Sequence, residues 1–156
     1  MNEFSIVFDM DGTLVDTHLA VRKAYEAVGV EMPDDAWGRP WIEWLKDGDA
    51  HRQKNLIYPK MLRKYARSLP LLDYAVRHKS PVITGASATA AVAVMNQFKI
   101  DVVLVGANAE RKKNYLSHRP PGIYVDDHEA TRRLIHETTQ WETFSPQEAI
   151  ERLVNV

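Results

Sequence analysis

Phe4-Ser5-Ile6-Val7-Phe8-Asp9-Met10-Asp11-Gly12-Thr13 is the stretch on which the reading of this chain turns. Its apolar run, without polar alternation, predicts a strand buried on both faces, as in a parallel sheet. The run ends in two aspartates one residue apart. Gly12 then permits a tight turn, and Thr13 can hydrogen-bond into it. Parallel α/β sheets place ligands at the carboxyl ends of their strands. Two carboxylates at one such end repel each other unless a cation or a shared proton compensates. A hard divalent cation is the simplest compensation, since Mg²⁺ takes oxygen ligands. The same Asp-x-Asp-Gly also serves as a plain turn or helix cap, so the rest of the chain has to decide.

Three further apolar runs, at 81–84, 101–106 and 122–125, predict strands of the same buried kind. Helical patterns at 87–98, 109–116 and 127–138 separate or follow them. Ala88, Ala91, Val92, Met95 and Phe98 read as a core stripe on the first of these. Residues 141–144 read as a short last strand, and Ser145-Pro146 with Glu148 as the opening of a final helix. Strands alternating with helices give an α/β class with a Rossmann-like parallel sheet and right-handed crossovers.

The segment 17–79 contains no strand run. A helix over 19–28 ends near Gly29, and Pro40 opens a short helix through Trp44. Residues 51–67 read as one or two helices interrupted at Pro59, and 71–78 as a last helix. This segment holds 12 bases against 8 acids, whereas 1–16 holds four acids and no base. A positive helical insertion thus follows an acidic strand end. The predicted organisation is an α/β core over 1–16 and 80–156 with an all-helical cap over 17–79.

Composition narrows the function classes. A chain of 156 residues suits one domain with a modest insertion. It has no cysteine, which excludes disulfides, cysteine–zinc sites and thiol catalysis. A net charge of −1 shows no basic excess of the kind that marks a nucleic-acid binder. No run approaches the ~18–20 apolar residues of a membrane-spanning helix. Met1-Asn2-Glu3-Phe4 lacks the basic and apolar regions of a signal peptide. A soluble, cytoplasmic protein with no membrane partner is expected.

Asp9-Met10-Asp11-Gly12-Thr13-Leu14-Val15-Asp16 resembles the first signature of the haloacid dehalogenase superfamily, in the form found in its phosphatase and phosphomutase branches. The other signatures follow in the expected order. Val82-Ile83-Thr84-Gly85-Ala86-Ser87 is similar to the second, a strand ending in Ser or Thr. Arg111-Lys112-Lys113-Asn114-Tyr115-Leu116 is similar to the third, a lysine opening a helix, with two adjacent lysines competing. Ile123-Tyr124-Val125-Asp126-Asp127 is similar to the fourth, a strand ending in paired acids. The cap between the first two signatures also matches the family's arrangement.

The resemblance implies the site's roles. Asp9 is the nucleophile that forms an aspartyl-phosphate, and Asp11 exchanges a proton with the leaving oxygen and then with the attacking water. Thr84 donates its hydroxyl to a phosphate oxygen, and Gly85 lets the backbone come close. The alternative for this turn is a helix cap made by Thr84 or Ser87. A lysine neutralises the phosphate together with Asp9. Lys112 is preferred because it lies four residues before the apolar Leu116, and Lys113 remains the rival as a phosphate contact. Asp9, Asp11 (through its main-chain carbonyl), Asp126 and Asp127 make the Mg²⁺ site. Asp127 is read as the direct ligand of the pair, and Asp126 as acting through water or holding Lys112. His128 reads as a helix-surface residue rather than a ligand, because Mg²⁺ takes oxygen.

The cap carries less chemistry. Trp37, Trp41 and Trp44 fit either a small hydrophobic core or a stacking platform. The bases over 51–67, with no acid among them, fit either a solvated face or an anionic substrate. Lys54 is the cap lysine singled out as a substrate contact, with a Schiff-base lysine as the remote alternative. The expected activity is Mg²⁺-dependent hydrolysis of a small soluble phosphate ester, such as a nucleotide or sugar phosphate. The alternatives are a phosphomutase, a phosphatase of nucleic-acid ends, and a phosphate-binding regulatory module without turnover.

Overall fold

The computed structural model describes residues 5–37 and 39–155. Phe4, the first residue of the opening apolar run, and the rest of the amino-terminal tetrapeptide lie outside the described residues, as does Val156 at the end of the predicted core. Five short strands form one all-parallel sheet: β1 (Ile6–Phe8), β4 (Pro81–Ile83), β5 (Asp101–Leu104), β6 (Ile123–Val125) and β7 (Glu142–Phe144). The order across the sheet is β5-β4-β1-β6-β7. From β1 the chain builds outward to β5 on one side, then crosses to β6 on the other. The carboxyl end of β1 is therefore a topological switch point, where α/β sheets open a crevice. Two further strands, β2 (Val15–Asp16) and β3 (Arg67–Ser68), pair as a separate two-stranded ribbon.

The apolar runs became strands because the sheet is covered on both faces. Val7, Ile83, Leu116, Tyr124, Ile135 and Trp141 form its central cluster, each at most 2% exposed. The Trp141 indole N–H donates to the Leu116 carbonyl at 2.8 Å, so the one polar atom of that ring is satisfied. Gly122, just before β6, lies so close to the neighbouring chain that a Cβ there would stand 2.1 Å from the Ser5 carbonyl oxygen.

The helices of this unit are α3 (Leu72–Arg77), α4 (Ala88–Phe98), α5 (Ala109–Ser117), α6 (Glu129–Thr138) and α7 (Pro146–Ala149), the last continuing as a turn of π-helix over Ile150–Val154. Side chains start three of them: Ser87 for α4, Asn108 for α5 and Ser145 for α7, where Ser145 and Glu148 form a capping box. On α4 the buried face is Ala90, Ala91, Ala93 and Val94, while Val92 is half exposed and Ala88 is exposed. The predicted stripe was thus rotated. Small alanines, rather than the larger Val92, take the side toward the interior, where a helix can approach a sheet closely.

By its internal contacts the chain divides into two compact units, Met1–Asp16 with Ser68–Val156, and Thr17–Arg67. The insertion expected over 17–79 is therefore shorter than its composition suggested, and residues 68–79 group with the larger unit. Leu71 and Ala75 are buried there, and the Tyr74 ring meets Phe8 of β1 edge-on at 6.2 Å.

The smaller unit contains α1 (His18–Ala27), a 3-10 turn (Trp41–Glu43) and α2 (Gly48–Tyr65). Asp47 caps α2 by accepting the N–H groups of Asp49 and Ala50, which makes Gly48 its first residue. Pro59 does not interrupt α2. It removes one backbone bond, but Ala50 and Leu62 on either side of it are buried and hold the helix together. The core of this unit is Tyr25, Met32 and Ala36, with Val21, Val30, Trp44 and Leu45 packed around them.

Candidate active site

Register delivers the acidic residues to one place. Phe8 is paired with Val125 on one side and Val82 on the other. Asp9 and Asp126 therefore leave the sheet side by side, and Thr84 leaves from the strand on the opposite flank of β1. The Asp9 N–H continues the ladder by donating to the Val125 carbonyl at 2.9 Å.

After Asp9 the chain turns sharply: the N–H groups of Thr13, Leu14 and Val15 all reach the Met10 carbonyl. Gly12 sits there with φ +78°, in the left-handed region that glycine adopts without penalty. A Cβ on Gly12 would stand 2.2 Å from Oδ2 of Asp127. The glycine thus serves two needs, the turn and the approach of a carboxylate. Thr13, buried, ties the two acidic strand ends together. Its hydroxyl accepts the Asp127 N–H at 3.1 Å and lies 3.4 Å from both Asp9 Oδ2 and Asp127 Oδ1.

Asp9, Asp126 and Asp127 each offer a carboxylate oxygen, and these lie within 4.8 Å of one another. Asp9 and Asp126 are buried, and Asp127 faces outward. Burial, reinforced by the Asp126 charge, pushes the Asp9 carboxyl well above the usual carboxylate range, and Asp11 pushes the same way. Burial also raises Asp127, with a hydrogen bond from Asp9 opposing and the Asp126 charge adding to it. A cluster of hard oxygens whose mutual repulsion is this incompletely relieved is the donor set that suits Mg²⁺. The Asp11 carboxylate is not part of this cluster. Asp11 is half-buried on the turn, leaving its main-chain carbonyl as the group the resemblance assigns to the metal.

Lys112 enters from α5. Asn108 accepts the Arg111 N–H at 2.9 Å and so sets where the helix begins. That phase puts Lys112 and Leu116 on the buried face. The Lys112 ammonium is 2.8 Å from Asp9 Oδ1 and 3.4 Å from Asp126 Oδ2. Burial alone would lower its pKa, but Asp9 and Asp126 more than offset this and hold it above the ordinary lysine value. Lys113 points elsewhere, pairing with Glu110 at 2.9 Å on its own helix. The expectation that it shares the phosphate site finds no support in this placement.

Thr84 is fully buried, and its hydroxyl oxygen accepts the Ala86 N–H at 3.0 Å. That leaves the hydroxyl proton available to a ligand. Ser87, not Thr84, caps the following helix. Gly85 is exposed at the turn, and a Cβ there would be only 3.3 Å from the Ala107 carbonyl. His128 precedes α6 and is exposed. Its ring reaches Thr131, and its N–H donates to Asp126 Oδ1 at 2.8 Å.

Two contributors escaped the sequence reading. In sequence Tyr124 reads only as part of an apolar strand, yet its hydroxyl donates to Asp126 Oδ2 at 2.5 Å. Arg132 donates to the Asp126 carbonyl at 2.8 Å and steadies the start of α6.

In the smaller unit Lys54 is buried, with its ammonium 5.0 Å from the Tyr25 ring centre and 4.5 Å from that of Tyr58. Trp44 packs edge-on against Tyr25, Trp41 stacks on His51 at 4.0 Å, and Trp37 stacks on His18 at 4.5 Å. Each tryptophan therefore has an aromatic partner within its own unit.

No family model and no curated protein matches the chain. Solved structures do. It is similar to a haloacid dehalogenase-like hydrolase from Streptococcus pneumoniae, at TM-score 0.60 and 16% identity, over 95% of this chain and 97% of that one. It is similar to a HAD-superfamily hydrolase of subfamily IA from Geobacter sulfurreducens, at TM-score 0.63 and 16% identity, over 91% and 88%. CbbY from Rhodobacter sphaeroides, solved in complex with phosphate, aligns at TM-score 0.66 and 17% identity, over 90% and 84%. The same protein, in mutant form, has been solved in complex with xylulose-(1,5)bisphosphate. Identities this low speak for architecture, and the architecture is plain: the chain has the haloacid dehalogenase fold.

Proposed function

We propose that the protein is a Mg²⁺-dependent phosphomonoester hydrolase of the haloacid dehalogenase superfamily, acting through a phosphorylated Asp9. The observation that carries this reading is the buried Asp9–Lys112 pair beside Asp126 and Asp127 at the switch point of the sheet. An isolated buried carboxylate is costly, and here one oxygen of Asp9 is held by an ammonium while the other faces the acidic turn.

Phosphoryl transfer needs an in-line nucleophile, a proton for the leaving group and neutralised equatorial oxygens. In the first step an Asp9 oxygen bonds to phosphorus as the ester P–O bond breaks. The leaving oxygen takes the Asp11 proton. In the second, water bonds to phosphorus, gives its proton to Asp11, and the P–O bond to Asp9 breaks, releasing phosphate. Splitting hydrolysis into two displacements makes each barrier lower. Lys112 neutralises Asp9 and the transferring group together. Thr84 donates its hydroxyl to a phosphate oxygen, and Gly85 allows the backbone to approach. Mg²⁺ held by Asp9, Asp127 and the Asp11 carbonyl would reduce the repulsion between nucleophile and phosphate.

Thr17–Arg67 acts in this reading as the substrate-selecting cap, with Lys54 as its cationic contact. The substrate class is a small phosphorylated metabolite. The phosphate and sugar bisphosphate bound by CbbY support that class, and the smaller unit's cationic helix suits a second anionic group.

A panel of sugar phosphates, nucleotides and nucleic-acid ends, assayed for phosphate release, tests the proposal. Release should require Mg²⁺, stop with EDTA and resume when Mg²⁺ is restored. Turnover indifferent to chelation would exclude the metal role.

A further inference from the structure

Asp126 is held by three donors. Its Oδ1 accepts the His128 N–H at 2.8 Å, and its Oδ2 accepts the Tyr124 hydroxyl at 2.5 Å, with Lys112 more distant at 3.4 Å. Tyr124 itself is fully buried among Val7, Ile83, Leu116, Ile135 and Trp141. Such a place suits a phenylalanine, and a hydroxyl there is unfavourable unless it is bonded. Its acceptor is Asp126, two residues on and hence on the same side of the chain. The Lys112 ammonium lies between two carboxylates but makes the short bond only with Asp9, at 2.8 Å. The Tyr124 hydroxyl is the closer donor on the one Asp126 oxygen that would otherwise draw the ammonium away.

We propose that Tyr124 is a positioning residue for Lys112: by occupying Oδ2 of Asp126 it leaves the Lys112 ammonium committed to Asp9. The consequence for turnover rests on the reading of Asp9 as nucleophile, but the placement of Lys112 does not. Asp126 is thereby a holder of Lys112, with both oxygens engaged, and Asp127 is the acid of the pair left to a cation.

The test is Tyr124→Phe, which keeps the ring in its apolar setting and deletes only the hydroxyl. Crystal structures of the wild-type and variant proteins, without metal, should show the two Lys112 distances change order, with Asp126 becoming the nearer carboxylate. In turnover, kcat should fall roughly tenfold, the scale of a lost hydrogen bond to a charged group, with KM changed less. A Lys112 that stays on Asp9 in the variant would overturn the inference. If the wild type hydrolyses no phosphate ester, the function reading fails while the structural comparison still decides this one. A second measurement needs no variant: the Tyr124 hydroxyl proton should exchange slowly in wild-type NMR spectra. A rapidly exchanging proton would equally overturn the proposal.

Discussion

In the larger unit Asp9, Lys112 and Asp126 are each under a tenth exposed, and the Lys112 ammonium pairs with both acids. In the smaller unit the ion pairs of Arg39 with Asp35 and Glu43, and of Arg52 with Asp49, lie on the surface between residues three or four apart. The difference is one of energetic purpose. Exposed pairs contribute ~0–1 kcal/mol each and are easily exchanged. Buried charges lose hydration that their mutual attraction only partly restores, so they mark a place where the fold gives up stability for chemistry. Lys54 is the one buried cation described in the smaller unit, and its ammonium lies over the Tyr25 and Tyr58 rings.

Replacing lysines gives the widest separation between the two kinds of charge. Lys112→Ala should destabilise the fold by ~3–5 kcal/mol in denaturant titrations, because it strips the cation from two buried acids. It should also remove most activity. Lys113→Ala and Arg39→Ala should each change stability by less than ~1 kcal/mol. If Lys113→Ala proved the more damaging of the two neighbours, the phosphate-neutralising role proposed for Lys112 would pass to it. A smaller effect is expected at the turn. Gly12→Ala should weaken Mg²⁺ binding by roughly 10- to 100-fold in calorimetric titration, because its Cβ would displace Asp127. Unchanged affinity would remove Asp127 from the proposed metal site.

The subtlest expectation concerns pH. Folded Asp9 and Asp127 hold protons more tightly than they would unfolded. Between the ordinary carboxylate range and their raised values the native state binds more protons, so stability falls as pH rises through that window. Lys112 acts in the alkaline range, where its contribution, present below the ordinary lysine value, is lost as pH rises through its raised one. The metal-free protein should therefore lose melting temperature between acid and neutral pH, after allowance for global acid effects measured in Asp9→Asn. Mg²⁺ at neutral pH should restore it, by about 2.7 kcal/mol at a hundredfold excess over its dissociation constant. A wild type that tracked Asp9→Asn across the window would contradict the buried-acid picture.

The sheet was legible because strands covered on both faces leave undiluted apolar runs, and the runs around Ile6, Val82, Val102 and Tyr124 all became strands. The acids at their ends were legible for the same reason, as charge where burial was expected. What composition could not display was direction. Lys112 and Lys113 are adjacent letters, and only the start of α5 at Asn108 turns one inward and the other toward Glu110. Tyr124 reads as one more core aromatic, since its hydroxyl bond depends on how Asp126 leaves the strand. Residues 68–79 look like the helices before them, and only the packing of Leu71 and Ala75 assigns them to the larger unit. Among the described residues no helix is long and apolar enough to cross a membrane.

Trapping the phosphorylated protein tests the central claim most directly. Asp11→Asn removes the carboxylate proposed to activate water, while an acyl phosphate donor has a leaving group that needs no proton. Incubated with that donor and Mg²⁺, then quenched in acid, this variant should carry one phosphoryl group on the peptide containing Asp9, and the additional change Asp9→Asn should abolish the label. An unlabelled protein, or a label that persists without Asp9, would contradict the account.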